Sequence, residues 1–232
     1  MKVNGIDARK YNAKQITVEI QPPAVAVNYE WMTGALHPIE FDTDVMAGHL
    51  KLCVYFRGKD RNSIIRKMSE FMANFTKACD LELDGYKGRY RGFLTGDDFE
   101  KTIVKRRYKL NLEFDGYFYD DEIEITFDGV ISGRFNSVGS RHSACIMEVY
   151  AKEKLTDYII GGFGDDEILI HSLEQGETVV IDGINGIVTI SGENAFDRVD
   201  LWSFPSVKPG KIEIKFSGIG AKVTVRYHPM WI

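Results

Sequence analysis

Glu122 and Glu124 stand two residues apart in EIEITF, a spacing that puts both carboxylates on one face of a strand, roughly 7 Å from each other. A pair at that separation is within range for glycoside hydrolysis, with one carboxyl as acid and the other as base or nucleophile. The same alternation sends Ile123, Ile125 and Phe127 to the opposite face. The glutamates therefore read as a solvated surface, without the burial that raises a carboxyl pKa for acid work. Asp165, Asp166 and Glu167 could offer oxygens to a hard cation, but the residue order of an EF-hand loop is missing and the run reads as a charged turn. Ser140, His142 and Ser143 are the right types for nucleophilic catalysis, yet they have no GxSxG elbow and no fixed acidic partner, and read as loop residues. The most basic run is VKRRYK, Val104 to Lys109. On a strand it shows Lys105, Arg107 and Lys109 on one face and turns Arg106 towards the apolar side near Tyr108. That suits pairing with acidic residues of neighbouring strands or subunits better than a phosphate site.

Cys53, Cys79 and Cys145 are odd in number and far apart, which leaves reduced, partly buried thiols rather than a disulfide framework or a CxxC site. The histidines His37, His49, His142, His171 and His228 include no i, i+4 pair of the kind a helical zinc motif needs. No metal or cofactor is expected, and no catalyst. A net charge of -5 provides no general attraction to nucleic acid or acidic membrane. The opening MKVNGIDARKYN has no apolar core of signal-peptide length, and no window approaches the ~18 apolar residues of a spanning helix. Synthesis and folding in a cytoplasm are expected.

These residues need elements to position them, and most of the elements are strands. QITVEI sets Ile16, Val18 and Ile20 on one face, and HLKLCVYF does the same with Leu50, Leu52, Val54 and Phe56. YKLNLEF repeats the pattern with Tyr108, Leu110, Leu112 and Phe114. TVVIDGINGIVTI predicts a hairpin whose turn carries Gly183 and Gly186, both free to take positive φ. KIEIKF and VTVRY follow. One segment has helical spacing instead: RNSIIRKMSEFMANFTKAC places Ile64, Ile65, Met68, Phe71, Met72 and Phe75 on one stripe, with Asp60 or Asn62 as cap. The chain is thus expected to be mainly β. Residues 1–120 would form a sheet covered by one helix, and residues 121–232 an antiparallel sandwich. The boundary is expected near DGYFYDDEIEI, where turn residues and acidic residues interrupt the alternation.

Two regions suggest contact surfaces. LELDGYKGRYRGFLTGDDFEK reads as a projecting hairpin, and Tyr86, Arg89, Tyr90, Arg91 and Phe93 on it have the aromatic and arginine composition of a protein interface. QPPAVAVNYEWMTGALHPI reads as a long irregular loop carrying Trp31, and loops of that length usually have a task. In WSFPSVKPG two prolines fix φ and remove donors at a corner between strands. Trp202 and Trp231 are the residues that could stack on a sugar, although their apolar surroundings in the sequence place them in the core.

VVIDGINGIVTISGENAFDRVDLWSFPSVKPGKIEIKFSG and VTVRYHPMWI resemble the carboxyl-terminal part of the distal tail protein family of long-tailed bacteriophages and prophages. The likeness rests on Asp182-Gly183, Gly192-Glu193-Asn194, the Trp202-Ser203-Phe204-Pro205 corner, Lys208-Pro209-Gly210 and the closing Tyr227-His228-Pro229-Met230-Trp231. VNGIDARKYN, and a single helix ahead of a hairpin, resemble the family's amino-terminal domain more loosely. The resemblance implies a belt domain over residues 1–120 that assembles as a homohexameric ring, and a galectin-like sandwich over residues 121–232 outside it. It implies a structural hub in the virion tail tip that joins the tail tube protein to the tail-tip, baseplate and receptor-binding proteins. DNA would pass through the ring without specific binding, and no membrane is involved. Other readings are a lectin-like carbohydrate-binding module and a glycoside hydrolase using Glu122 and Glu124.

Overall fold

The computed structural model describes residues 1–101, 107–164 and 166–231. They divide into two compact units, Met1–Tyr119 and Asp120–Trp231. In the first, β1 (Lys2–Val3), β2 (Ile6–Asp7) and β3 (Ala13–Gln21) are followed by two strands that form a sheet of their own, β4 (Val25–Glu30) and β5 (Ile39–Val45). Next come β6 (Gly48–Arg57), the helix α1 (Arg61–Met72), β7 (Cys79–Glu82), β8 (Arg89–Lys101) and β9 (Arg107–Tyr119). The main sheet has the order β2-β1-β7-β8-β9-β6-β3, with antiparallel pairing throughout. Period two produces its core face: Leu50, Leu52, Val54 and Phe56 of β6 are opposite Phe114, Leu112, Leu110 and Tyr108 of β9, all buried.

Helix α1 starts at a capping box. Asp60 accepts from the Ser63 amide at 2.8 Å, and Ser63 Oγ lies 3.3 Å from the Asp60 amide. Its buried face is Ile64 and Phe71, with Met68 and Met72 partly buried. Phe71 is the hub of an edge-to-face aromatic cluster with Tyr11, Phe56 and Phe75. Ile65, expected on the same stripe, is 45% exposed. Consecutive helical residues differ by ~100°, so Ile64 and Ile65 cannot both face the sheet. Ile16 departs from its expected face for another reason. A bulge between Gln15 and Thr17 makes it the extra residue of β3, and it is 47% exposed.

The second unit contains β10 (Ile123–Asp128), β11 (Ser132–Ser137), β12 (Ser143–Ala151), β13 (Leu155–Gly161), β14 (Ile168–Leu173), β15 (Thr178–Asp182), β16 (Ile187–Ile190), β17 (Glu193–Asn194), β18 (Val199–Asp200), β19 (Ser206–Val207), β20 (Gly210–Phe216) and β21 (Ala221–Tyr227). One sheet runs β10-β21-β12-β15-β16-β17, with β19 also paired to β12, and the other runs β11-β20-β13-β14-β18. Their inward residues share one core that includes Met147, Val149, Ile181 and Val225 from the first sheet and Ile160, Ile170 and Ile214 from the second. A strand pattern of buried and exposed residues in alternation, as in β12 and β20, is what a sandwich face demands.

The β15–β16 turn is held by Asp182, which is 8% exposed. Its Oδ1 accepts from the amides of Ile184 and Asn185, and its Oδ2 from Asn185 Nδ2 at 2.7 Å. Gly186 has φ +68°, as its type allows. Gly183 is needed for another reason: a Cβ there would lie 2.6 Å from Pro205 O and 2.8 Å from Cys145 O.

Candidate interaction surfaces

The pairs proposed for chemistry are not assembled into a site. Glu122 precedes β10 and Glu124 is exposed on it, in register with Arg226 of β21. Ser143 is in the buried start of β12, not in a loop, and its Oγ accepts from the Met230 amide at 3.1 Å. His142 beside it is exposed. Asp165 lies outside the described residues, as do Val104, Lys105 and Arg106 of the basic run. From that run Arg107 places its guanidinium 5.8 Å from the Tyr55 ring centroid, and Lys109 pairs with Glu100 at 3.8 Å. No group of three or more His, Cys, Asp or Glu residues suited to a metal ion occurs among the described residues. Two of the three thiols are shielded from reaction: burial pushes Cys145 up to about 12 and Cys79 up to about 11.

The residues proposed for contact fall into three groups. Arg91 and Phe93 are on the exposed face of β8, where Phe93 is 62% exposed and Arg91 pairs with Asp80 at 3.2 Å. Tyr86, in the β7–β8 turn, stacks on Phe118 and remains part exposed. Arg89 holds its guanidinium 5.8 Å from the Tyr119 ring centroid. Tyr90 is a correction. It is 1% exposed, and its hydroxyl donates to Gly48 O at 3.0 Å and lies 3.2 Å from Phe114 O. Burial, with the nearby Asp115 carboxylate as a second cause, pushes its pKa up, and it belongs to the core.

Trp31 belongs to the third group, and its segment differs from the irregular loop expected. Residues 25–45 form a two-stranded antiparallel ribbon, β4–β5, in register from Val25↔Val45 to Glu30↔Ile39. A bulge leaves Phe41 as its extra residue. The ribbon buries neither face. Val25, Val27, Tyr29, Trp31, Leu36 and Phe41 are all more than two-fifths exposed, with Leu36 at 87%. An isolated two-stranded hairpin is marginal in water, and apolar surface on this scale marks a contact site.

The sandwich has a smaller apolar corner. Trp202, expected in the core, is 91% exposed on the Trp202–Pro205 turn, while Phe204 beside it packs edge-to-face on Phe196. Trp231 is 39% exposed and donates from Nε1 to Asp120 Oδ2 at 2.8 Å.

Residues 138–231 match the family model described as siphovirus-type tail component, C-terminal domain. Two solved structures share the fold of the chain. The Dit (gp 19.1) protein of phage SPP1, described as a paradigm of the hub adsorption apparatus in Gram-positive infecting phages, matches with a TM-score of 0.75 at 10% identity, over 99% of this chain and 98% of that one. A chain of the phage P2 baseplate in its activated conformation with Ca matches with a TM-score of 0.53 at 12% identity, over 96% and 92%. Among curated proteins, none matches the chain in sequence. The resemblance carried by the Trp202–Pro205 corner and the closing Tyr227–Trp231 segment agrees with both findings: residues 138–231 match the siphovirus-type tail component domain, and the whole chain has the fold of the SPP1 Dit protein.

Proposed function

We propose that the chain is the distal tail hub of a siphovirus-type phage tail, a structural protein and not an enzyme. Residues 1–120 are the belt that closes into a hexameric ring, and residues 121–232 are a sandwich of galectin-like topology outside it. The ring joins the tail tube to the tail-tip or baseplate proteins that carry receptor binding, and DNA crosses its central hole without specific contacts. The observation that carries this reading is the unburied apolar ribbon on a chain whose two units together have the fold of a hub protein. Surface of that kind is stable in a virion because neighbours cover it. The test is native mass across a concentration series at moderate salt, with electron microscopy of the largest species. A species near six times 26.4 kDa with a central hole is the expected result. A monomer at every concentration overturns the ring.

The exposed indole of Trp202 favours one alternative, a lectin-like role for the sandwich. Titration with cell-wall glycans should then quench tryptophan fluorescence in the wild type and not in Trp202→Ala. The hub reading expects no binding in either.

A further inference from the structure

The ribbon's charge is as one-sided as its exposure. Between Lys14 and Lys51 the sequence contains no lysine or arginine. Glu30, Glu40 and Asp44 sit on or at the end of the ribbon strands, exposed, and none has an ion pair among the described residues. The same unit has a surface of the opposite kind. Arg57 ends β6, Lys59 follows it, and Arg61 opens α1; all three are exposed and also have no ion pair among the described residues. Arg107 of β9 is in register beside Arg57, and the exposed Ile65 is one turn along the helix from Arg61, which adds an apolar centre to the basic patch.

These two surfaces cannot meet within one chain. The ribbon is rooted where β3 ends and β6 begins, through Gln21↔His49 and the 3.0 Å hydrogen bond from the Met46 amide to Ala24 O. The basic patch is at the other end of β6, ten residues on, or about 30 Å at ~3.3 Å per residue. Exposure on both faces of the ribbon shows that it does not fold back along the sheet. An acidic apolar arm at one end of a strand and a basic apolar patch at the other make a head-to-tail pair, which is the geometry that generates rings when rotation closes.

We propose that the β4–β5 ribbon of one copy docks on the Arg57–Arg61 patch and Ile65 of the next. This rests on the hub reading and adds the two halves of its subunit contact. Charge reversal tests it, with native mass as the readout and circular dichroism confirming that each variant is folded. E30K/E40K/D44K and R57E/K59E/R61E should each lose the assembled species and run at 26.4 kDa. Mixed in equal amounts, the two variants should reassemble, because each ribbon then faces a complementary patch only on the other variant. The restored species should contain even numbers of chains.

A wild type that assembles, with either variant assembling equally well, overturns the ribbon contact and leaves the ring standing. The ribbon would then belong under another tail protein. Loss in both variants without rescue on mixing also overturns it, since the two patches would be touching different surfaces. A wild type that stays monomeric overturns the ring and this contact together.

Discussion

The β4–β5 ribbon and the β15–β16 hairpin are both antiparallel strand pairs with valines and isoleucines along them, and they end in opposite states. In the hairpin Val179, Ile181 and Val188 are no more than 1% exposed, because β12 continues the sheet on one side and the second sheet covers the face. In the ribbon Val25, Val27 and Ile39 are 42–55% exposed, because no strand or layer among the described residues adjoins it. Residue type does not decide burial here. The number of neighbours that each pair acquires among the described residues does.

Substitutions can break or sharpen this contrast. Ile181→Ala should have the largest effect on the isolated protein, a loss of about 2–5 kcal/mol in urea unfolding, from lost burial and the cavity left behind. Asp182→Ala should cost about 1–3 kcal/mol, because the turn amides of Ile184 and Asn185 lose their acceptor. Asp60→Ala, which removes the cap of α1, should cost about 1 kcal/mol. Val27→Ala should change monomer stability by no more than about 0.5 kcal/mol. If Val27→Ala destabilises the monomer as much as Ile181→Ala, the ribbon is packed on its own chain and the contrast fails. Alkali should act on the buried thiols. The thiols of Cys79 and Cys145 are raised from 9.0 to about 11 and about 12, so their contribution is complete below pH 9 and is lost as pH rises towards those values. These two thiols should add no slope to the unfolding midpoint below pH 9 and should lower it above.

Much of the fold was legible because period two and period 3.6 are strong signals when a strand or helix has one buried face. Tyr108, Leu110, Leu112 and Phe114, or Ile212, Ile214 and Phe216, alternate without interruption and are buried. The ribbon was not legible, since a strand pair with no buried face has no reason to alternate cleanly, and its bulge disturbs what pattern remains. Tyr90 was misread from composition, although its alternation with Arg89 and Arg91 already placed it on the other face. Trp202 was misread the opposite way. Val199 enters the core, and by Trp202 the chain has left the strand at a turn, where apolar neighbours in sequence no longer mean apolar neighbours in space. Contact residues are hard to find in one chain because the partner that buries them is absent from its sequence.

The clustering of carboxylates on the ribbon has a kinetic side. An open strand pair with apolar side chains is a template for stacking with its own kind, and newly made chains would meet as monomers with these edges bare. Two ribbons approaching edge to edge bring Glu30, Glu40 and Asp44 against their own copies, a repulsion felt over about 10 Å at 0.1 M salt. Negative charge thus slows the wrong encounter, and fibre-like clumping of the free protein should become faster as salt is raised.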